Sequence, residues 1–133
     1  MREPNAWTIF DQLQNRDPAS LTSDERLVLA LGEIRTEVSS GGFDFYLRYP
    51  YRKNAPIAIE AARAAGCPDL AALIEEAISV VGRDLLDCDN EEALSGRLEQ
   101  VEEDLGDLDQ RFCELEMTAD LDAALSRLVA RLP

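Results

Sequence analysis

Glu91-Glu92-Ala93-Leu94-Ser95-Gly96-Arg97-Leu98-Glu99-Gln100-Val101-Glu102-Glu103-Asp104-Leu105-Gly106-Asp107-Leu108-Asp109-Gln110-Arg111-Phe112-Cys113-Glu114-Leu115-Glu116 carries two patterns at once. Leu94, Leu98, Val101, Leu105, Leu108, Phe112 and Leu115 recur at spacings of 4, 3, 4, 3, 4 and 3. On a backbone of about 3.6 residues per turn that makes one apolar stripe, the mark of a helix with a buried face. The acids fall mainly between these positions, on the faces left to solvent. A charged segment with such a stripe is a folded element rather than a disordered acidic tail. Asn90 stands where it can cap this helix, with Glu91 and Glu92 favourably placed in the first turn. Gly106 is read as an interruption, and Asp107-Leu108-Asp109-Gln110 has the form of a fresh cap with Gln three residues on.

The rest of the chain also reads as helix. Ala6 to Asn15 is predicted to bury Trp7, Phe10 and Leu13, and Asp17-Pro18 breaks it. Thr22-Ser23-Asp24-Glu25 is a capping box that opens a helix through Leu27, Leu31, Ile34 and Val38. Gly41-Gly42 is the expected left-handed terminator, followed by a short aromatic piece, Phe43 to Tyr49, closed by Pro50. A helix from Ala55 to Ala65 ends at Gly66, one from Pro68 runs to Gly82, and a last one lies near Thr118 to Leu132. No segment alternates with a period of two. The reading is all-α, a single compact domain over 1–133 with six or seven short helices and an acidic segment at 84–122.

Composition narrows the function. The 133 residues include 13 Lys+Arg against 27 Asp+Glu, a net charge of −14, and no histidine. A nucleic-acid binder needs a basic surface to displace counterions from phosphates, so direct nucleic-acid binding is excluded. Imidazole-based catalysis and imidazole-ligated zinc or iron sites are excluded too. No run of about 18 apolar residues offers a membrane span. The polar start, Met1 to Asn5, is followed by no signal-peptide core, so a cytoplasmic location is expected. Cys67, Cys88 and Cys113 are odd in number, form no CxxC and read as reduced thiols.

The distribution of charge says more than its sum. Residues 84–122 contain fifteen acids against only Arg97 and Arg111, a net −13, and everything else sums to −1. Along the helix Glu99 faces Glu103, and Glu103 faces Asp107, with almost no positive charge nearby. Like charges at i,i+4 cost a few tenths of a kcal/mol each, a repulsion best relieved by a positive partner. The ten carboxylates of residues 91–116 lie along a contour of ~39 Å. That is one per ~4 Å, near the ~3.4 Å per phosphate of one DNA strand. The candidate partner-binding residues are therefore Glu99, Glu102, Glu103, Asp104, Asp107 and Asp109, with Glu91 and Glu92 at the edge. The expected partner is a basic protein, plausibly a DNA-binding one, met by a monomer or by a homodimer whose paired segments approach duplex density.

Two other classes compete. An immunity or antitoxin module neutralising a basic nuclease would share these electrostatics. A carboxylate metal site would need better ligand spacing than Asp87-Cys88-Asp89-Asn90-Glu91-Glu92 provides. That run has Glu92 where a calcium loop has Gly, and Leu98 where it has its twelfth-position Glu. A di-iron bundle needs Glu-x-x-His, and a cysteine nucleophile would lack an imidazole base. No enzyme, cofactor or metal is expected.

At Glu37-Val38-Ser39-Ser40-Gly41-Gly42-Phe43-Asp44-Phe45-Tyr46 the sequence resembles the bacterial DNA-mimic-protein-like family, all-helical domains with a Glu-Val-x-Asn-Gly-Gly-Phe-x-Gln-Tyr-Phe core. The Ala-rich stretch 58–66, the aliphatic stretch 70–81 and Leu108-Asp109-Gln110-Arg111-Phe112 are similar as well, so the resemblance covers residues 20–132. This chain has Ser40 for the Asn, Phe45 for the Gln and Leu47 for the final Phe. The resemblance implies an acidic, dimeric, non-enzymatic protein that presents carboxylates like duplex phosphates and occupies a transcription factor's DNA-binding surface. Gly41, Gly42, Phe43 and Tyr46 form the structural motif, in which Gly-Gly allows a sharp turn while Phe43 and Tyr46 fill the core. Arg48, Arg52 and Lys53 are the only basic cluster and are expected to pair with the acidic helix of the same or a second subunit.

Overall fold

The computed structural model describes residues 5–132; Met1 to Pro4 and Pro133, the ends of the expected 1–133 domain, lie outside the described residues. Every regular element in it is helical, as the periodicity requires. Helix α1 spans Ala6–Gln14, with the Asn5 carboxamide accepting the Thr8 N–H at 2.8 Å. Its Phe10 and Leu13 are buried and Trp7 is half-buried. A 3₁₀ turn at Pro18–Ser20 leads to α2, Ser23–Arg48. The capping box forms in full: Glu25 N–H donates to Thr22 Oγ1 at 3.2 Å and Thr22 N–H to Glu25 Oε1 at 2.9 Å.

A second 3₁₀ turn, Pro50–Asn54, connects to α3 (Ala55–Ala64) and then α4 (Pro68–Val81). Gly66 and Gly82 close these two helices with φ of 79° and 102°, the left-handed backbone only glycine adopts without strain. A single turn, α5 (Arg83–Leu86), precedes the acidic pair α6 (Glu91–Gln100) and α7 (Glu102–Thr118). The last helix, α8, is Leu121–Val129, capped by Asp120 through the Ala123 N–H at 2.9 Å. It is shorter at both ends than the expected Thr118 to Leu132, because Thr118 belongs to α7 and Asp120 supplies the cap.

Two expectations need correction. The described residues hold eight α-helices rather than six or seven. Gly41-Gly42 does mark a helix end as expected: Gly42 leaves the helical region (φ 78°, ψ −179°), so α2 is two helical runs joined by a kink, the second restarting at once through the aromatic residues. Gly106 does not interrupt the acidic segment, which breaks instead at Val101 (φ −108°, ψ 16°). The three consecutive acids Glu102, Glu103 and Asp104 then occupy the first turn of a new helix, where the helix dipole favours negative charge.

Helix α2 is the hub. Helices α1, α3, α7 and α8 pack around it, and α4 bridges α3 and α7. Ala55, Ala58, Ala61 and Ala62 of α3 are wholly buried, and their small side chains let α3 lie close to α2 and α4. The predicted stripe of the acidic pair faces inward: Leu94, Leu98, Leu105, Leu108 and Phe112 are buried, with Val101 and Leu115 packed at the margin. Phe43 meets Phe112 edge-on at 6.1 Å, and Tyr46 stacks on Tyr51 at 5.6 Å. Phe43 and Tyr46 therefore fill the core, as the sequence suggests.

Candidate functional site

With the stripe buried, α6 and α7 turn their acids outward. Glu91, Glu92, Glu99, Glu102, Glu103, Asp104 and Asp107 are all exposed. None of the seven has an Arg or Lys nitrogen within 4.0 Å among the described residues. The cations that border the segment are committed elsewhere. Arg111 pairs with Glu76 of α4 at 2.6 Å, and Arg97 donates to the Val81 carbonyl at 3.3 Å. Arg35 pairs with Asp122, which also accepts the Trp7 indole N–H at 3.0 Å. The result is a ridge whose carboxylates make no ion pair within 4.0 Å among the described residues, with Arg48 the one cation near enough to Glu99 for their charges to interact.

Asp109 is placed differently from its companions. It is half-buried, and its Oδ1 accepts the Phe43 N–H at 2.7 Å. That N–H is the first donor of the restarted α2, left without an intrahelical acceptor by the kink at Gly42. Asp109 thus caps a helix from 66 residues away, and Gly42 makes room for it, since a Cβ there would lie 2.5 Å from Asp109 Oδ2. Burial pushes the Asp109 carboxyl above the ordinary aspartate range, opposed by the Phe43 N–H and reinforced by the charge of Asp44.

Beside Asp109 lies a hollow of about 480 Å³ floored by Leu98 and Leu105, with Gly106 at its edge and Asp44, Arg48, Glu99, Glu102 and Asp109 around it. From the sequence, Asp44 has no assigned role and Arg48 only a place in the basic cluster. Their i,i+4 spacing was the available signal, and they pair at 3.1 Å, with Arg48 also donating to Ser95 Oγ of α6 at 3.1 Å. The basic cluster makes no ion pair with the acidic helices, contrary to expectation, because its partners lie nearer along the chain or in the loop before α6: Arg48 pairs with Asp44, Lys53 with Asp89 at 3.2 Å, and the buried Arg52 donates to the Cys88 carbonyl at 2.8 Å. Lys53 and Arg52 together fasten the loop that leads into α6. Among the described residues no three of Cys, Asp and Glu are grouped to hold a metal ion, and no helix is long and apolar enough to cross a membrane. Cys67 and Cys88 are half-buried, Cys113 is exposed, and all three are free thiols.

A family model described as DMP19-like protein matches residues 19–131, a span that takes in the whole ridge and the Gly-Gly-Phe element. No curated protein and no solved structure matches the chain.

Proposed function

The chain belongs to the DMP19-like protein family, and on that premise we propose that it acts as a DNA mimic, using the α6–α7 ridge to occupy the basic surface of a DNA-binding protein such as a transcription factor. The observation that carries this reading is the seven exposed carboxylates, Glu91 to Asp107, none with an intramolecular cation within 4.0 Å among the described residues. A groove shaped for phosphates meets negative groups here at about one per ~4 Å of helix, close to the ~3.4 Å of a DNA strand. Binding releases the ridge from its own repulsion and frees the partner's bound anions, so affinity falls steeply with salt.

The experiment is capture followed by competition. The immobilised protein is expected to retain a basic DNA-binding protein at low salt and release it near 0.5 M NaCl, where screening shortens the Debye length to a few ångströms. That partner is then titrated with its own DNA in the presence of the wild type or of the variant E102Q/E103Q/D107N. Displacement of DNA by the wild type and not by the variant is expected. A partner that holds DNA and this protein together, or that ignores the charge change, overturns the assignment.

A further inference from the structure

Among the described residues Arg52 is the one charged side chain in the core, 6% exposed, and the ridge makes no use of it. Its two protein acceptors are carbonyls, that of Cys88 at 2.8 Å and that of Arg48 at 3.4 Å. Its Nε–H has no acceptor, and no carboxylate lies within 4.0 Å of its guanidinium among the described residues. A guanidinium carries five N–H donors and a permanent charge. Holding such a charge out of water without an opposite partner is unfavourable. Its neighbours Lys53 and Arg48 each have a carboxylate, Asp89 and Asp44. Arg52 has none.

Arg52 also lines a hollow of about 380 Å³ where the Pro50–Asn54 turn meets the loop into α6 and the first turns of that helix. That volume falls within the roughly 300–1,000 Å³ of small-molecule sites. Arg48 and Lys53 stand on its wall with Ser95, whose hydroxyl accepts from Arg48 at 3.1 Å and keeps its own proton for a further acceptor. Asp89 and Glu91 line it too. Asp89 is held by Lys53 and Glu91 is exposed, and together they select against a polyanion, which would have to run on along α6 and α7. We propose that this hollow binds a small oxyanion, a carboxylate or phosphate monoester with an apolar body. Arg52 takes the charged head, since a guanidinium fork matches either one, with Lys53 and Ser95 beside it. The Nη1 donor, held only by the 3.4 Å contact to the Arg48 carbonyl, is the one most readily given to the ligand. The exposed ring of Tyr49, also on the wall, receives the apolar body. This site does not rest on the ridge reading.

The test is isothermal titration calorimetry on the full chain at constant ionic strength, with benzoate and phenyl phosphate as probes and benzyl alcohol as their uncharged counterpart. One-to-one binding of benzoate or of phenyl phosphate with a Kd of about 1 mM or tighter is expected, and the head group that binds is the class the hollow takes. Benzyl alcohol is expected to bind about tenfold more weakly or less. Arg52→Lys keeps the charge but loses the fork, and is expected to weaken binding about tenfold. Ser95→Ala and Lys53→Gln each remove a donor from the wall and are expected to weaken it about threefold or more. Arg63→Gln on the exposed face of α3 should change nothing. Circular dichroism shows whether Arg52→Lys is folded; if it is not, Ser95→Ala and Lys53→Gln decide. Binding of neither probe, equal binding of benzyl alcohol and benzoate, or undiminished binding in the folded wall variants overturns the proposal. The ridge variant E102Q/E103Q/D107N is expected to bind the probes at least as tightly as the wild type, so a failed titration leaves the α6–α7 reading as it stands.

Discussion

Replacing Asp109 by Ala removes the acceptor that holds the kink of α2. The bond it makes, Phe43 N–H to Oδ1 at 2.7 Å, is short, involves a carboxylate, and ends on the backbone of a residue only 1% exposed. Hydrogen bonds to charged groups contribute about 1.5–3 kcal/mol, and an orphaned buried N–H costs about 1–3 kcal/mol. The half-exposed carboxylate and its repulsion with Asp44 offset part of this. The expected loss for Asp109→Ala is therefore about 2 kcal/mol. With a urea m-value of roughly 1.5 kcal/mol/M, the midpoint of unfolding followed by circular dichroism falls by about 1.3 M. Asp109→Asn keeps an acceptor oxygen and nearly the same shape, so its loss is expected to stay under about 1 kcal/mol. The pH dependence gives an independent check. The folded-state pKa of Asp109 is raised, so its ionised form is penalised in the native state. That penalty is absent at low pH and appears as pH rises through the ordinary aspartate value toward the raised one. Asp109→Asn should accordingly gain on the wild type as pH rises above the ordinary aspartate value of 3.8. An alanine variant within about 0.5 kcal/mol of wild type, or an asparagine variant as damaged as alanine, would refute the capping role.

Gly42→Ala forces a side chain into φ 78° and against Asp109; a loss of at least about 2 kcal/mol is expected in the same urea titration. Moderate salt should stabilise the free protein, since screening relieves the repulsion along α6 and α7, and a rise in Tm of a few degrees between low salt and 0.3 M NaCl is the calorimetric sign. Asp122 is held below the ordinary aspartate range by the hydrogen bonds from Arg35 and Trp7. Its contribution is therefore complete above the ordinary value of 3.8 and is lost as pH falls below it. Trp7 is the only tryptophan, so its fluorescence should change in that acid window and should cease to do so in Asp122→Asn.

Where the local sequence specifies a helix end, the end is found. The reciprocal bonds of Thr22 and Glu25, the cap at Asn90 and the left-handed glycines 66 and 82 all depend on residues a few positions apart. Gly42 breaks the helix as read, but the immediate restart at Phe43 was not legible, because its cap is Asp109, which nothing in the neighbourhood of Gly42 announces. The same contact accounts for the one ridge candidate that turns inward: period alone puts position 109 between the stripe and the solvent. At Gly106 the breaker signal loses to the continuous apolar face from Leu105 to Phe112, while the three acids after Val101 mark the true restart. The exposed acids were legible from periodicity. The Asp44–Arg48 pair follows from i,i+4 spacing, but the bond from Arg48 to Ser95 of α6 spans 47 residues and had no local signal.

The acidic pair is fastened at several points: Asp109 to the α2 kink, Arg48 to Ser95, Arg97 to the end of α4, and Arg111 to Glu76. For the partner proposed above, such bracing would present a surface already in its final shape. Little conformational freedom remains to be lost at encounter, so more of the electrostatic attraction survives as affinity. The long-range field can also guide approach without waiting for a segment to order itself. On that proposal, a substitution at the half-buried Gly42 or the buried Phe43 would be felt on the outer face as a change in the partner's dissociation rate.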